Sequence, residues 1–77
     1  MIQERPFDIL SKSTGKQVLI RLKGGASIRG TLTSFDAHMN IVIESAEELD
    51  GGELKAKLGT VLLRGGNIIY VSPAWSN

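Results

Sequence analysis

At 77 residues the chain is too short to divide into two domains that each hold an interior, so residues 1–77 read as a single domain. Nine basic against eight acidic residues leave a formal charge of +1, which excludes the dense positive field of a protein that grips duplex DNA. The absence of cysteine and the single histidine exclude a disulfide framework and an ordinary structural zinc site, leaving oligomerisation as the reinforcement that domains of this size commonly need.

Residues 1–15 contain Glu4, Arg5, Asp8 and Lys12, which interrupt the apolar stretch a signal peptide requires. No later segment is long and apolar enough to span a bilayer, and a soluble cytoplasmic protein is expected. Pro6 suits a first helical turn, Phe7, Ile9 and Leu10 supply an apolar stripe, and Gly15 occupies the place of a left-handed cap. This pattern predicts a short helix over about residues 6–13.

Beyond Gly15 the period becomes two. Val18, Ile20 and Leu22 point one way and Gln17, Arg21 and Lys23 the other, as in a half-buried strand. Gly24-Gly25 supplies a tight turn, and residues 27–36 return as a second strand. Ile28, Gly30 and Leu32 share a face there while Phe35 has the other parity, which predicts a bulge or sharp bend helped by Gly30.

Residues 39–46 read as a third strand, and the unbroken Ile41-Val42-Ile43 implies cover on both of its faces. Residues 47–53, with Asp50-Gly51-Gly52 inside them, read as an acidic turn, either a solvated hairpin tip or a cation or protein site. A fourth strand is expected over residues 58–64, then a Gly65-Gly66 break and a fifth strand over 67–72. Val61-Leu62-Leu63 and Ile68-Ile69-Tyr70-Val71 are apolar on both faces, which places either a subunit interface or the interior of a closed monomeric barrel on these two strands.

Two segments stand apart from this core and interface. Phe35-Asp36-Ala37-His38-Met39-Asn40 joins the second and third strands, and Leu63-Arg64-Gly65-Gly66-Asn67-Ile68 joins the fourth and fifth. An imidazole and a guanidinium can sandwich a nucleobase, and a carboxamide offers a donor and an acceptor to its edge. Taken singly, His38 also reads as a structural histidine at a strand start, and Arg64 as a solvated turn charge or an interface salt bridge. Trp75 can stack on RNA or pack on its neighbours.

Taken together, these residues resemble the Sm-like family. Gly15-Lys16, Val18, Leu22-Lys23, Gly30, Leu32, the run from Phe35 to Asn40, and Val42 are similar to the first Sm motif, over about residues 15–46. Leu58-Gly59 and Leu63-Arg64-Gly65-Gly66-Asn67-Ile68-Ile69 are similar to the second, over about 57–72, and the likeness is to the archaeal branch. The resemblance implies a mostly β fold, a short N-terminal helix on a strongly bent five-stranded antiparallel sheet. It also implies a ring, usually of seven identical subunits, joined through the fourth strand of one and the fifth of the next. The function implied is recognition of uridine-rich single-stranded RNA, with RNA-processing proteins as further partners and no cofactor or metal.

Residue by residue, the resemblance has His38 and Arg64 stacking on a uracil, Asn40 reading its edge, Asp36 bracing the loop, and Gly65 letting backbone approach the base. Gly66 falls within the same RNA-binding turn, at a position where archaeal relatives often carry an acid. The modest charge and this glycine also suit a ring that serves as a scaffold for protein partners. An enzyme has little to work with, since the chain holds no cysteine, one histidine and no glycine-rich phosphate loop.

Overall fold

The computed structural model describes the backbone of residues 6–73 and the side chains of residues 8–73. Trp75 and the Phe7 side chain lie outside the described residues. Helix α1 spans Pro6–Ser13, with Asp8 in its first turn and Lys12 in its last, each charge complementing the helix dipole. Its last carbonyls are occupied: the Ser13 hydroxyl donates to Ile9 O at 2.8 Å and Thr14 Oγ1 to Leu10 O at 3.2 Å. Gly15 then turns the chain at φ 84° and donates its N–H to Leu32 O at 2.8 Å, which ties the end of the helix to the sheet.

Five antiparallel strands follow: β1 (Gln17–Leu22), β2 (Ser27–Phe35), β3 (Ile41–Asp50), β4 (Glu53–Leu63) and β5 (Ile68–Ser72). The sheet order is β4-β3-β2-β1-β5. Alternate residues of three strands meet on the inner face, where Val18, Ile20, Ile28, Leu32, Ile41, Ile43 and Ala46 are buried together with Leu10 of the helix. Each buried large aliphatic side chain contributes roughly 1.5–3 kcal/mol relative to leaving it in water, and Leu49 of β3 is buried outside this cluster.

A sheet curved tightly enough to enclose such a small core needs a crease, and it runs through three adjacent strands. A Cβ on Gly30 of β2 would stand 2.5 Å from Ile43 Cγ2 and 2.9 Å from Glu44 O. The register of β3 shifts beside it, Ser45 takes φ 53°, and the facing Gly59 of β4 takes φ 73°. The bend expected at Gly30 is present, with register shifts between Arg29 and Thr31 and between Leu32 and Ser34.

Two sequence expectations require correction. Residues 47–53 are not a turn: β3 continues to Asp50, the turn is Gly51-Gly52, and β4 begins at Glu53 rather than at residue 58. Beyond the crease Ala46 and Leu49 remain buried, while the polar residues of the hairpin sit half-buried or exposed along its ladder. There Arg29 Nε donates to Glu47 Oε1 at 2.7 Å across β2 and β3. Nor does Ile41-Val42-Ile43 have both faces covered, because the two isoleucines are fully buried whereas Val42 is only half-buried.

The sheet does not close on itself. β4 pairs only with β3 and β5 only with β1, so the closed monomeric barrel is not formed among the described residues. Leu62 on β4 is 65% exposed and Ile69 on β5 58%, beside the half-exposed Tyr70. Apolar side chains on two unpaired strand edges are the condition that draws further strands into a sheet. An apolar cleft of about 290 Å³ lies along the β5 edge beneath α1, lined by Ile9, Leu10, Met39, Ile69 and Tyr70 among others. The described helix is not long and apolar enough to cross a membrane.

Candidate nucleic-acid interface

The β2–β3 loop is built around one carboxylate. Asp36 Oδ1 accepts the backbone N–H of His38 at 2.9 Å and of Asn40 at 3.0 Å, while Oδ2 accepts the Asn40 Nδ2–H at 3.0 Å. Backbone bonds from Asp36 N to Asn40 O and from Met39 N to Asp36 O close the same turn. Aspartate suits this place because its short side chain reaches backbone donors only a few residues ahead. The Asn40 carboxamide, followed by the Asn40 and His38 backbone N–H groups and the nearby imidazole, holds the Asp36 carboxyl below its ordinary pKa.

Met39 pays for this tight turn with φ 64°, and its side chain packs against the core. Its neighbours therefore point outward, and His38 is exposed on the rim.

The second element is the β4–β5 turn, a short 3-10 segment over Gly65–Asn67 preceded by Arg64 in extended conformation. The two loops touch backbone to backbone. A Cβ on Gly65 would collide with the carbonyl oxygen of His38 and come within 3.0 Å of that of Met39. Glycine at 65 is thus required by the contact between the loops, a reason that the expected approach to a base did not include. Gly66 differs: its φ lies outside the left-handed range, and a Cβ there would meet nothing within 4 Å.

Across this contact Gly65 N–H donates to Asn40 Oδ1 at 3.1 Å. Asn40 is therefore held at both ends, its Nδ2 by a carboxylate that can only accept and its Oδ1 by an N–H that can only donate. Rotating the amide by half a turn would set donor against donor and acceptor against acceptor, so its orientation is fixed by chemistry. One N–H of Nδ2 and one lone pair of Oδ1 remain free. Uracil's edge reads acceptor, donor, acceptor, and it meets such a pair from either face of the base, whereas cytosine's edge meets it from one.

All six residues singled out from the sequence, Asp36, His38, Asn40, Arg64, Gly65 and Gly66, fall on these two adjoining loops. The His38 and Arg64 side chains make no hydrogen bond or ion pair with another described residue, the imidazole acting on Asp36 through its charge alone, so both are available to a ligand. Sequence reasoning missed one participant. Lys23 N–H donates to Asn67 O at 2.9 Å, which attaches the β1–β2 turn to the same site. No periodicity connects residues so distant in the chain.

The LSM domain family model matches residues 8–73. An Sm-like protein of Archaeoglobus fulgidus is 49% identical over 70 residues, covering 91% of each chain. Among solved structures, the Pyrococcus abyssii Sm protein in complex with a uridine heptamer superposes with a TM-score of 0.87 at 39% identity, over 90% of this chain and 97% of that one. A heptameric archaeal Sm protein superposes with a TM-score of 0.78 at 46% identity, over 84% of this chain and 94% of that one.

Proposed function

The chain belongs to the LSM domain family, and on that premise we propose that it forms a ring of seven identical subunits that binds uridine-rich single-stranded RNA, one base to each subunit. The observation that carries the reading is the locked Asn40 amide on two touching loops that also bear two exposed planar groups, His38 and Arg64. In each subunit the imidazole and guanidinium stack on the two faces of a uracil. Asn40 Oδ1 accepts its N3–H, and Nδ2 donates to a neighbouring carbonyl. Asp36 and Gly65 do not touch the base in this mechanism; they hold the amide that does.

Stacking and edge recognition contribute roughly 1–3 kcal/mol per base, too little for one shallow pocket to hold RNA. Repetition makes up the difference, since a strand seated in one subunit meets the next at high effective concentration. The open β4 and β5 edges support the assembly, β4 of one subunit completing the sheet beside β5 of the next, with exposed leucines entering the neighbour's apolar cleft. The uridine heptamer bound by the Pyrococcus abyssii protein and the heptameric state of the archaeal Sm protein support both halves of the reading. The role is binding without bond cleavage, in RNA processing or ribonucleoprotein assembly.

Fluorescence anisotropy with labelled oligouridine, oligocytidine and oligoadenine at physiological salt tests the proposal. A uridine preference that His38→Ala with Arg64→Ala abolishes supports it. Equal, salt-sensitive binding of all three would replace it with a ring that serves as a scaffold for protein partners.

A further inference from the structure

The two open edges lie on different halves of the sheet. Residues 27–31 of β2 pair with β1, which in turn pairs with β5. Residues 32–35 of β2 pair instead with residues 41–43 of β3, and these pair with Val61, Leu62 and Leu63 of β4. The β5 edge therefore belongs to the half before the crease, and the β4 edge that carries the 65% exposed Leu62 to the half after it. The bend through Gly30, Ser45 and Gly59 is where one half turns into the other.

The bend is held at one angle. A Cβ on Gly30 would stand 2.5 Å from Ile43 Cγ2, 2.9 Å from Glu44 O and 3.1 Å from Ala46 Cα, two of them backbone atoms and the first a branch of a fully buried side chain. Only a shift of the strands could make room for it. Ser45 sits at φ 53°, a narrow well for a residue with a side chain, and admits little variation. Gly15 N–H to Leu32 O at 2.8 Å and Leu32 N–H to Lys16 O at 3.0 Å lash the two halves together.

In a head-to-tail ring the rotation from one subunit to the next decides how many subunits close it. Seven require about 51° each, and six or eight differ from that by only about 6–9°. A shift of about 1 Å across the roughly 10 Å between packed sheet faces is a rotation of about 6°. Relieving an overlap of the size found at Gly30 thus moves the rotation by the step that separates one closed count from the next.

We infer that the crease through Gly30, Ser45 and Gly59 sets the number of subunits in the ring, by fixing the angle between each subunit's β4 edge and its own β5 edge. The inference rests on the proposed ring and is independent of the base pocket.

Native mass spectrometry with analytical ultracentrifugation, on RNA-free wild type, Gly30→Ala and Ser45→Gly, counts the subunits, and circular dichroism confirms that each variant is folded. Gly30→Ala should close with a count other than that of the wild type. Ser45→Gly, whose glycine widens the permitted bend, should populate more than one count, and it decides alone if Gly30→Ala does not fold. The single wild-type count in every variant that folds overturns the inference. Dissociation of a folded variant into single subunits overturns it too, because the crease would then hold the seam rather than set its angle. A wild-type protein with no closed assembly overturns the ring itself and the inference with it.

Discussion

Substituting Gly65 by alanine tests whether the contact between the two loops makes the site. The added Cβ would meet the carbonyl oxygens of His38 and Met39, the latter at 3.0 Å, and the Met39 carbonyl carbon at 3.1 Å. These are backbone atoms of a loop braced by Asp36, so no side chain can swing aside to relieve the overlap. The loops must separate by roughly half an ångström or more to restore ordinary contact, and the 3.1 Å bond from Gly65 N to Asn40 Oδ1 then passes out of hydrogen-bond range. Overpacking of this kind costs about 1–3 kcal/mol, and the lost bond about 0.5–1.5 kcal/mol more. Urea denaturation at fixed protomer concentration should register that loss of stability. Anisotropy should show weaker oligouridine binding and a reduced preference over oligocytidine, because the released amide can rotate. Gly66→Ala is the matched control: its Cβ meets nothing within 4 Å, and its cost should stay within about 0.5 kcal/mol. If the two substitutions behave alike, the argument from the loop contact is refuted.

The lowered Asp36 pKa carries a pH dependence with a definite sign. Its carboxylate stabilises the loop at pH values above the unfolded-state pKa, and that contribution is lost as pH falls through the lower folded value. Oligouridine affinity should therefore hold its Asp36-dependent part down to the ordinary carboxylate range and lose it only below, whereas Asp36→Asn should already be impaired at neutral pH; a titration followed by anisotropy checks both. Leu62→Glu puts a charge on the 65% exposed β4 edge and should shift the assembly towards smaller species in light scattering while leaving the core intact. Ser45→Gly removes a side chain from a left-handed position at φ 53° and should raise stability by about 1 kcal/mol in thermal denaturation.

The helix, β1 and the two loops that form the candidate site were legible because their signals are local. Pro6 and Gly15 punctuate the helix, Val18 and Ile20 alternate with polar neighbours, and the six candidate residues cluster in two short runs. Resemblance then joined the two runs; periodicity alone left His38 and Arg64 with structural readings beside the functional ones. The outer half of the β3–β4 hairpin was not legible. Buried Ala46 and Leu49 stand three residues apart there, which breaks the alternation of a strand, so Glu47 and Glu48 resembled a turn although they sit on a ladder opposite Lys57 and Ala56. Val42 misled for a related reason, since a valine on an outward face looks the same in the sequence as one beneath a second layer. The second requirement for Gly65 and the bond from Lys23 to Asn67 arise only when the sheet folds over at Gly30 and Ser45 and brings distant turns together.

The two unpaired edges make each subunit a link with one hook and one eye. In an assembly built from such links every seam uses a different edge from each neighbour, so damage to one edge does not exclude a subunit from joining. A copy spoiled only at β4 still offers a sound β5, adds to a growing arc, and leaves it with no way to close. Mixed with the intact protein, such a copy acts as a chain terminator. In the ring proposed above closure needs every seam, so the fraction of complete rings would fall as a high power of the intact fraction, and a small share of half-blind subunits would disable most of the population.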